Sequence, residues 1–127
     1  NEAINDAPFL ILLRGMSEGE HKRIETIKKI SEQKIKKGLP LIIKACSDEF
    51  KAVRFESARA VGLLGDRGGI DALKKLLKDQ YFDVRLEAVK SLGKLLRKDE
   101  TDCIESMKND TNKNVRDEAL NVMNSFK

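Results

Sequence analysis

Apolar residues recur along this chain at helical rather than strand spacing. Four long stretches carry the signal. Residues 53–64 present Val53, Ser57, Ala58, Ala60, Val61 and Leu64, and residues 84–95 present Val84, Ala88, Val89, Leu92 and Leu95. Residues 115–126 present Val115, Ala119, Leu120, Met123 and Phe126, and an earlier, less regular stretch presents Ile24, Ile27 and Ile30. A shorter apolar segment precedes each: Leu10, Ile11 and Leu13; Leu39, Ile42, Ile43 and Ala45; Ile70, Leu73, Leu76 and Leu77; Cys103, Ile104 and Met107. The pattern predicts four helical hairpins, over about residues 7–34, 38–65, 69–97 and 101–127, in one domain covering 1–127. Gly62, Gly65, Gly68, Gly69 and Gly93 are expected to mark helix ends.

The hairpins are copies of one another. Val53-Arg54-Phe55-Glu56, Val84-Arg85-Leu86-Glu87 and Val115-Arg116-Asp117-Glu118 stand 31 residues apart, and Lys22-Arg23-Ile24-Glu25 stands one period upstream. Six residues before three of these arginines sits an aspartate: Asp48, Asp79 and Asp110. Ser17 takes that place in the first copy. A single hairpin cannot bury its apolar face alone, so neighbours must stack. Ser57, Ala58 and Ala60 let helices approach near the lower end of the ~8–10 Å range, which gives four units a length of about 35–40 Å.

An Asp-x5-Arg step within a 31-residue helical hairpin resembles a HEAT repeat. The run from Val53 through Ala58-Arg59-Ala60-Val61-Gly62-Leu63-Leu64-Gly65-Asp66 is similar to the short variety named after phycobilin lyases, and Pro40 stands where such repeats often carry a proline. The resemblance covers roughly residues 8–127 and is weakest in the first copy. It implies an all-α solenoid, with first helices convex and second helices concave, that binds proteins more often than chromophores, nucleic acids or metals. It also implies that Asp48, Arg54, Asp79, Arg85, Asp110 and Arg116 form a structural ladder in the inter-helix turns, bridging units. A chromophore-lyase role rests on the resemblance alone.

Composition narrows the chemistry. The sequence is 40% hydrophobic, 36% charged and only 5% aromatic, with no Trp. That favours helix over a turn-rich sandwich. No apolar run approaches the ~20 residues of a membrane span, and nothing has the layout of a signal peptide. Asn1 is not an initiator Met, so the chain is expected to be an excised stretch of a longer one. Cys46 and Cys103 form no CxxC or disulfide framework, which points to a reducing compartment, the cytoplasm. They stand two units apart, about 20 Å at ~10 Å per unit, beyond the ~7 Å reach of a disulfide. Both are expected to be buried thiols. With His21 they are too few for a zinc site. The repeated His-Glu pairs of iron-binding HEAT-like hydroxylases are missing. No metal, no cofactor and no catalytic residue is expected.

Charge is uneven. Residues 1–21 hold one base and four acids, and 99–127 hold four bases and seven acids; 22–44 hold eight bases and two acids, and 45–98 twelve and eight. The net charge is +4. A basic segment over 22–98 admits nucleic acid as an alternative partner, although no aromatic platform for stacking bases is evident. The Glu column has a base three residues on in three copies, at Glu25 and Lys28, Glu56 and Arg59, and Glu87 and Lys90, which reads as a surface salt-bridge lattice or a charged recognition strip. Gly65-Asp66-Arg67-Gly68-Gly69 lacks the Gly-Lys-Ser/Thr ending of a phosphate loop and reads as a turn.

The expected function is a non-catalytic scaffold holding a protein or peptide, acidic or amphipathic, on the concave face. Its expected residues are Lys51, Phe55, Glu56, Arg59, Phe82, Leu86, Glu87 and Lys90. Phe55 and Leu86 supply apolar anchors within a charged rim, or else fill the groove between stacked helices.

Overall fold

The helical stretches form because Ala, Leu, Glu and Lys dominate them and the punctuating residues fall at their edges. The computed structural model describes residues 7–127. Among these it holds eight α-helices and no strand: α1 (Ala7–Met16), α2 (Glu20–Glu32), α3 (Leu39–Ala45), α4 (Lys51–Leu64), α5 (Ile70–Leu76), α6 (Phe82–Leu95), α7 (Asp102–Ser106) and α8 (Lys113–Ser125). Short 3-10 turns, Lys36–Gly38, Arg67–Gly69 and Lys98–Glu100, lead into α3, α5 and α7. Pro40 sits in the first turn of α3, where its missing N–H costs nothing. Gly65 ends α4 at φ +73°, a left-handed cap that Gly adopts without strain. The Asn112 side chain accepts from the Asn114 and Val115 amides and so caps α8.

The four helix pairs stack as an α-solenoid. The second helices α2, α4, α6 and α8 pack directly on one another in order, and far more extensively than the first helices do. Gly62 and Gly93 explain the closeness. Both lie inside helices, α4 and α6, and not at their ends as the sequence suggested. A Cβ on Gly62 would stand 2.4 Å from Ser91 Oγ and 3.1 Å from Ser91 Cα, and one on Gly93 would stand 2.8 Å from a Val122 methyl. Ser91 uses the contact, its hydroxyl donating to the Ala58 carbonyl across the helix pair at 2.7 Å. The layer whose helices approach most closely lies on the inside of a curved stack, so the second helices line the concave side.

One core runs the length of the array. Val53, Val84 and Val115 are fully buried at equivalent places, as are Ala58 and Val89, and Val61 and Leu92. Exposed Lys22 takes the valine position in the first unit, so α2 turns a polar face to that side. The apolar run in α1 behaves differently from its expected role. Leu12 is buried, whereas Leu10 is 56% exposed, Ile11 65% and Leu13 40%. Five consecutive apolar residues wrap more than one side of a helix, and α1 turns only its Leu12 and Gly15 side fully inward, with Gly15 against Thr26.

Overpacking a tight helix crossing costs about 1–3 kcal/mol. Gly62→Ala should therefore lower the melting temperature clearly in a thermal scan, because the Ser91 backbone cannot move aside. Lys75→Ala on the exposed side of α5 should stay within about 0.5 kcal/mol of the parent.

Candidate partner-binding surface

The arginine of each Val-Arg step enters its helix close to the preceding turn. Arg54 Nη1 donates to the Asp48 and Glu49 carbonyls at 2.9 and 3.1 Å, and Arg85 Nη1 donates to the Asp79 carbonyl at 2.8 Å. The other edge of the guanidinium reaches forward to the next unit. Arg23 pairs with Asp48 at 2.8 Å, Arg54 with Asp79 at 2.7 Å and Arg85 with Asp110 at 2.9 Å, each with a second nitrogen on the second carboxylate oxygen. Each aspartate also accepts an amide of its own turn, from Phe50, Tyr81 and Asn112. The carboxylate partner of Arg85 is thus Asp110 and not Asp79. Within a unit, Arg and Asp meet only through the Asp main-chain carbonyl. Arg116 holds the Asp110 and Thr111 carbonyls at 2.9 and 3.1 Å and pairs with no carboxylate among the described residues.

The expected partner-binding residues divide into three groups. Phe55 and Leu86 are half-buried and pack against the core, so the core does claim them. They occupy the groove between stacked second helices, as Ile24 does. Lys51 and Phe82 sit at the starts of α4 and α6. Lys51 pairs with Asp83 at 3.3 Å and lies 4.9 Å over the Tyr81 ring. Phe82 is exposed beside them.

Glu56, Arg59, Glu87 and Lys90 form the third group, where an acidic column is sunk beneath an outer basic one. Glu56 and Glu87 are only 14% and 16% exposed, against 48% and 45% for Lys28 and Lys90, which reach them at 4.0 Å. Glu25 pairs with Lys22 rather than Lys28, and Glu56 with Lys28 rather than Arg59, because the crossing of α2 over α4 brings Lys28 closer. Arg59 makes no ion pair among the described residues. A groove of about 560 Å³ crosses α4, α6 and α8 here, lined among others by Arg59, Leu63, Glu87, Lys90, Lys94 and Val122.

The family model for HEAT repeats matches residues 7–93 of this chain. The chain belongs to the HEAT-repeat family. No curated protein sequence matches it significantly. Two solved structures share the fold. An engineered protein superposes with a TM-score of 0.73 at 18% identity, over 91% of this chain and 60% of that one. The complex of CpcE and CpcF of phycocyanin lyase from Nostoc sp. PCC7120 superposes with a TM-score of 0.72 at 19% identity, over 90% of this chain and 52% of that one. The chain therefore spans a little over half the length of these structures. HEAT repeats generally mediate protein–protein interaction and generally act as non-enzymatic scaffolds.

A second set of contacts within these HEAT units keeps the same 31-residue period. Lys36 and Arg67 are repeat equivalents, and each donates to the last carbonyls of its own unit's second helix, Leu64 at 2.5 Å and Leu95 at 2.7 Å. They cap the negative ends of α4 and α6. Arg67 also clamps Glu100 of the next unit, at 2.9 and 2.7 Å. The Arg67 guanidinium and the Arg97 amide together hold the Glu100 carboxyl down at about 2. Gly65 to Gly69 form a turn, with Asp66 accepting the Gly68 amide at 2.8 Å. Both cysteines are free, Cys46 buried and Cys103 half-buried. Burial pushes the Cys46 thiol up to about 12 and the Cys103 thiol upward. Among the described residues no acid, Cys or His cluster could hold a metal ion, and no helix is long and apolar enough to cross a membrane.

Two outcomes follow from this geometry. Arg54→Ala leaves nearly buried Asp79 without its partner and should cost about 3 kcal/mol. Arg116→Ala strands no carboxylate and should cost much less in the same chemical-denaturation experiment. Glu100 should titrate near pH 2 by carboxyl NMR, and Arg67→Ala should return it towards the ordinary carboxylate range. Because its folded value is depressed, its contribution to stability is complete above that ordinary range and fades as pH falls towards 2.

Proposed function

We propose that the chain is a non-catalytic scaffold that holds an acidic or amphipathic protein segment along its second-helix face. The groove across α4, α6 and α8 carries this reading. It offers Arg59, with no ion pair among the described residues, together with Lys90 and Lys94, over an apolar floor that includes Leu63 and Val122. Glu87 and Glu118 line the same groove, so a segment carrying a base among its acids is complemented best. Of the residues expected from sequence, Arg59, Glu87 and Lys90 line this groove, whereas Phe55 and Leu86 support the helices beneath it. Rigidity adds to the case, since a preorganised groove loses little entropy on binding. Two unpaired thiols fit a reducing compartment such as the cytoplasm.

Nucleic acid is the poorer fit. The ladder arginines of the basic stretch 22–98 are consumed by aspartates. The turn aromatics Phe50 and Tyr81 already carry Arg23 and Lys51 over their rings.

Panning the wild-type chain against a displayed peptide library tests the reading. Enriched segments should be rich in Asp and Glu. The double variant Arg59→Glu, Lys90→Glu should bind them at least about ten-fold more weakly at an unchanged melting temperature. Undiminished binding by that variant would remove the groove from the function. Salt-steep binding of duplex or single-stranded DNA, lost in the same variant, would replace the peptide with nucleic acid.

A further inference from the structure

The inner face carries its charges at the period of the array. Lys28, Arg59, Lys90 and Asn121 stand 31 residues apart, each three positions after a glutamate of the acidic column. All four are exposed. The first three are bases, so a basic column runs from α2 through α4 to α6 with one charge per unit. These charges are held loosely. Lys28 and Lys90 reach Glu56 and Glu87 only at 4.0 Å, and Arg59 makes no ion pair among the described residues. Pairs made by exposed bases contribute little, so all three bases are open to an incoming carboxylate.

The interval between the charges selects a backbone. The crossings at Gly62 and Gly93 leave no room for a Cβ, so the helices and the bases they carry recur within the ~8–10 Å range. A polyproline II chain has three residues per turn at about 3.1 Å each, which is about 9.3 Å. It therefore returns every third side chain to the column in step with the units. A β-strand returns a side chain to the same face after about 6.6–6.8 Å, short of one unit. Two turns of α-helix rise about 10.8 Å, beyond one unit, and the excess doubles between Lys28 and Lys90. The sunken acids suit the same conformation. A polyproline II backbone has no internal hydrogen bonds, and Glu56 and Glu87, low on this face, are acceptors for its N–H groups.

Taking the second-helix groove as the binding face, we propose that its occupant is a polyproline II segment of a partner protein with a carboxylate at every third residue. Successive carboxylates meet Lys28, Arg59 and Lys90, and the following turn of the segment meets uncharged Asn121. Backbone amides between the acids donate to Glu56 and Glu87. This face lies to the side of the stacking direction, so a stacked unit does not cover it.

Fluorescence anisotropy with three labelled peptides tests the spacing. The first is (Glu-Pro-Ala)3. The second has the same composition with its acids at alternate residues. The third is a stapled helix with acids at i, i+7 and i+14. The first should bind at least about ten-fold more tightly than either of the others. Asn121→Lys, at an exposed position of α8, extends the column by a fourth charge. It should bind (Glu-Pro-Ala)4 about ten-fold more tightly than the unaltered chain does, and should gain much less with a peptide whose fourth acid is moved from i+9 to i+10. Equal affinity for all three peptides, lost in the Arg59→Glu, Lys90→Glu variant, overturns the spacing and leaves the groove as the binding face. A preference for the alternate-residue or the stapled peptide, or equal gains from the i+9 and i+10 peptides, overturns it as well. Binding of no acidic peptide overturns both the spacing and the groove.

Discussion

Everything in this array depends on how one guanidinium divides its donors. Each ladder arginine gives one nitrogen to the carbonyls of the turn behind it and the other edge to the aspartate of the unit ahead. The aspartate in turn fixes its own turn through a backbone amide. One rung therefore ties together two turns and the helices they join. Both partners are largely withdrawn from water, where a pair contributes modest net stability but strands a costly charge if broken. Its stronger effect is on register, because a neighbouring unit that slides or rotates loses a two-pronged bond. The rung also gives the array a direction, since arginine always reaches forward.

Close approach between second helices is the other constraint, and it shapes the binding face. Glycine at residues 62 and 93 and Ser91 at the α4–α6 crossing draw these helices together. The first helices, joined through 3-10 turns, stay further apart. The resulting inner face carries glutamates low and bases high. Arg59 and Lys90 stand outermost on this face, above the acids. The family supplies the general role in protein binding, and the proposed preference for an acidic segment rests on this layering.

The two ends of the array are unlike. The first unit closes its second-helix face with Lys22 and Lys29 and has no aspartate in its turn. The fourth leaves Leu120 exposed where inner units bury Ala58 and Val89. Repeat arrays normally end in polar caps because an uncovered interior face is sticky.

The sequence by itself determined the helices, the 31-residue period, the family and most of the core. These are local or periodic properties, and Val53, Val84 and Val115 announce themselves by spacing alone. It could not say which aspartate each arginine takes. Asp79 lies six residues before Arg85 and Asp110 lies 25 after it, and a strict repeat holds both intervals constant. The same ambiguity hid the role of Gly62, since glycine near a helix end reads as a cap until a neighbouring helix is seen against it. Phe55 and Leu86 could be read as anchors or as groove fillers, because periodicity within one helix shows only the face turned to its own hairpin. Stacking adds a second buried face, and its extent depends on how closely two helices cross. That distance is set between elements far apart in the chain, so only the tertiary structure decided which apolar side chains were packed and which were left exposed.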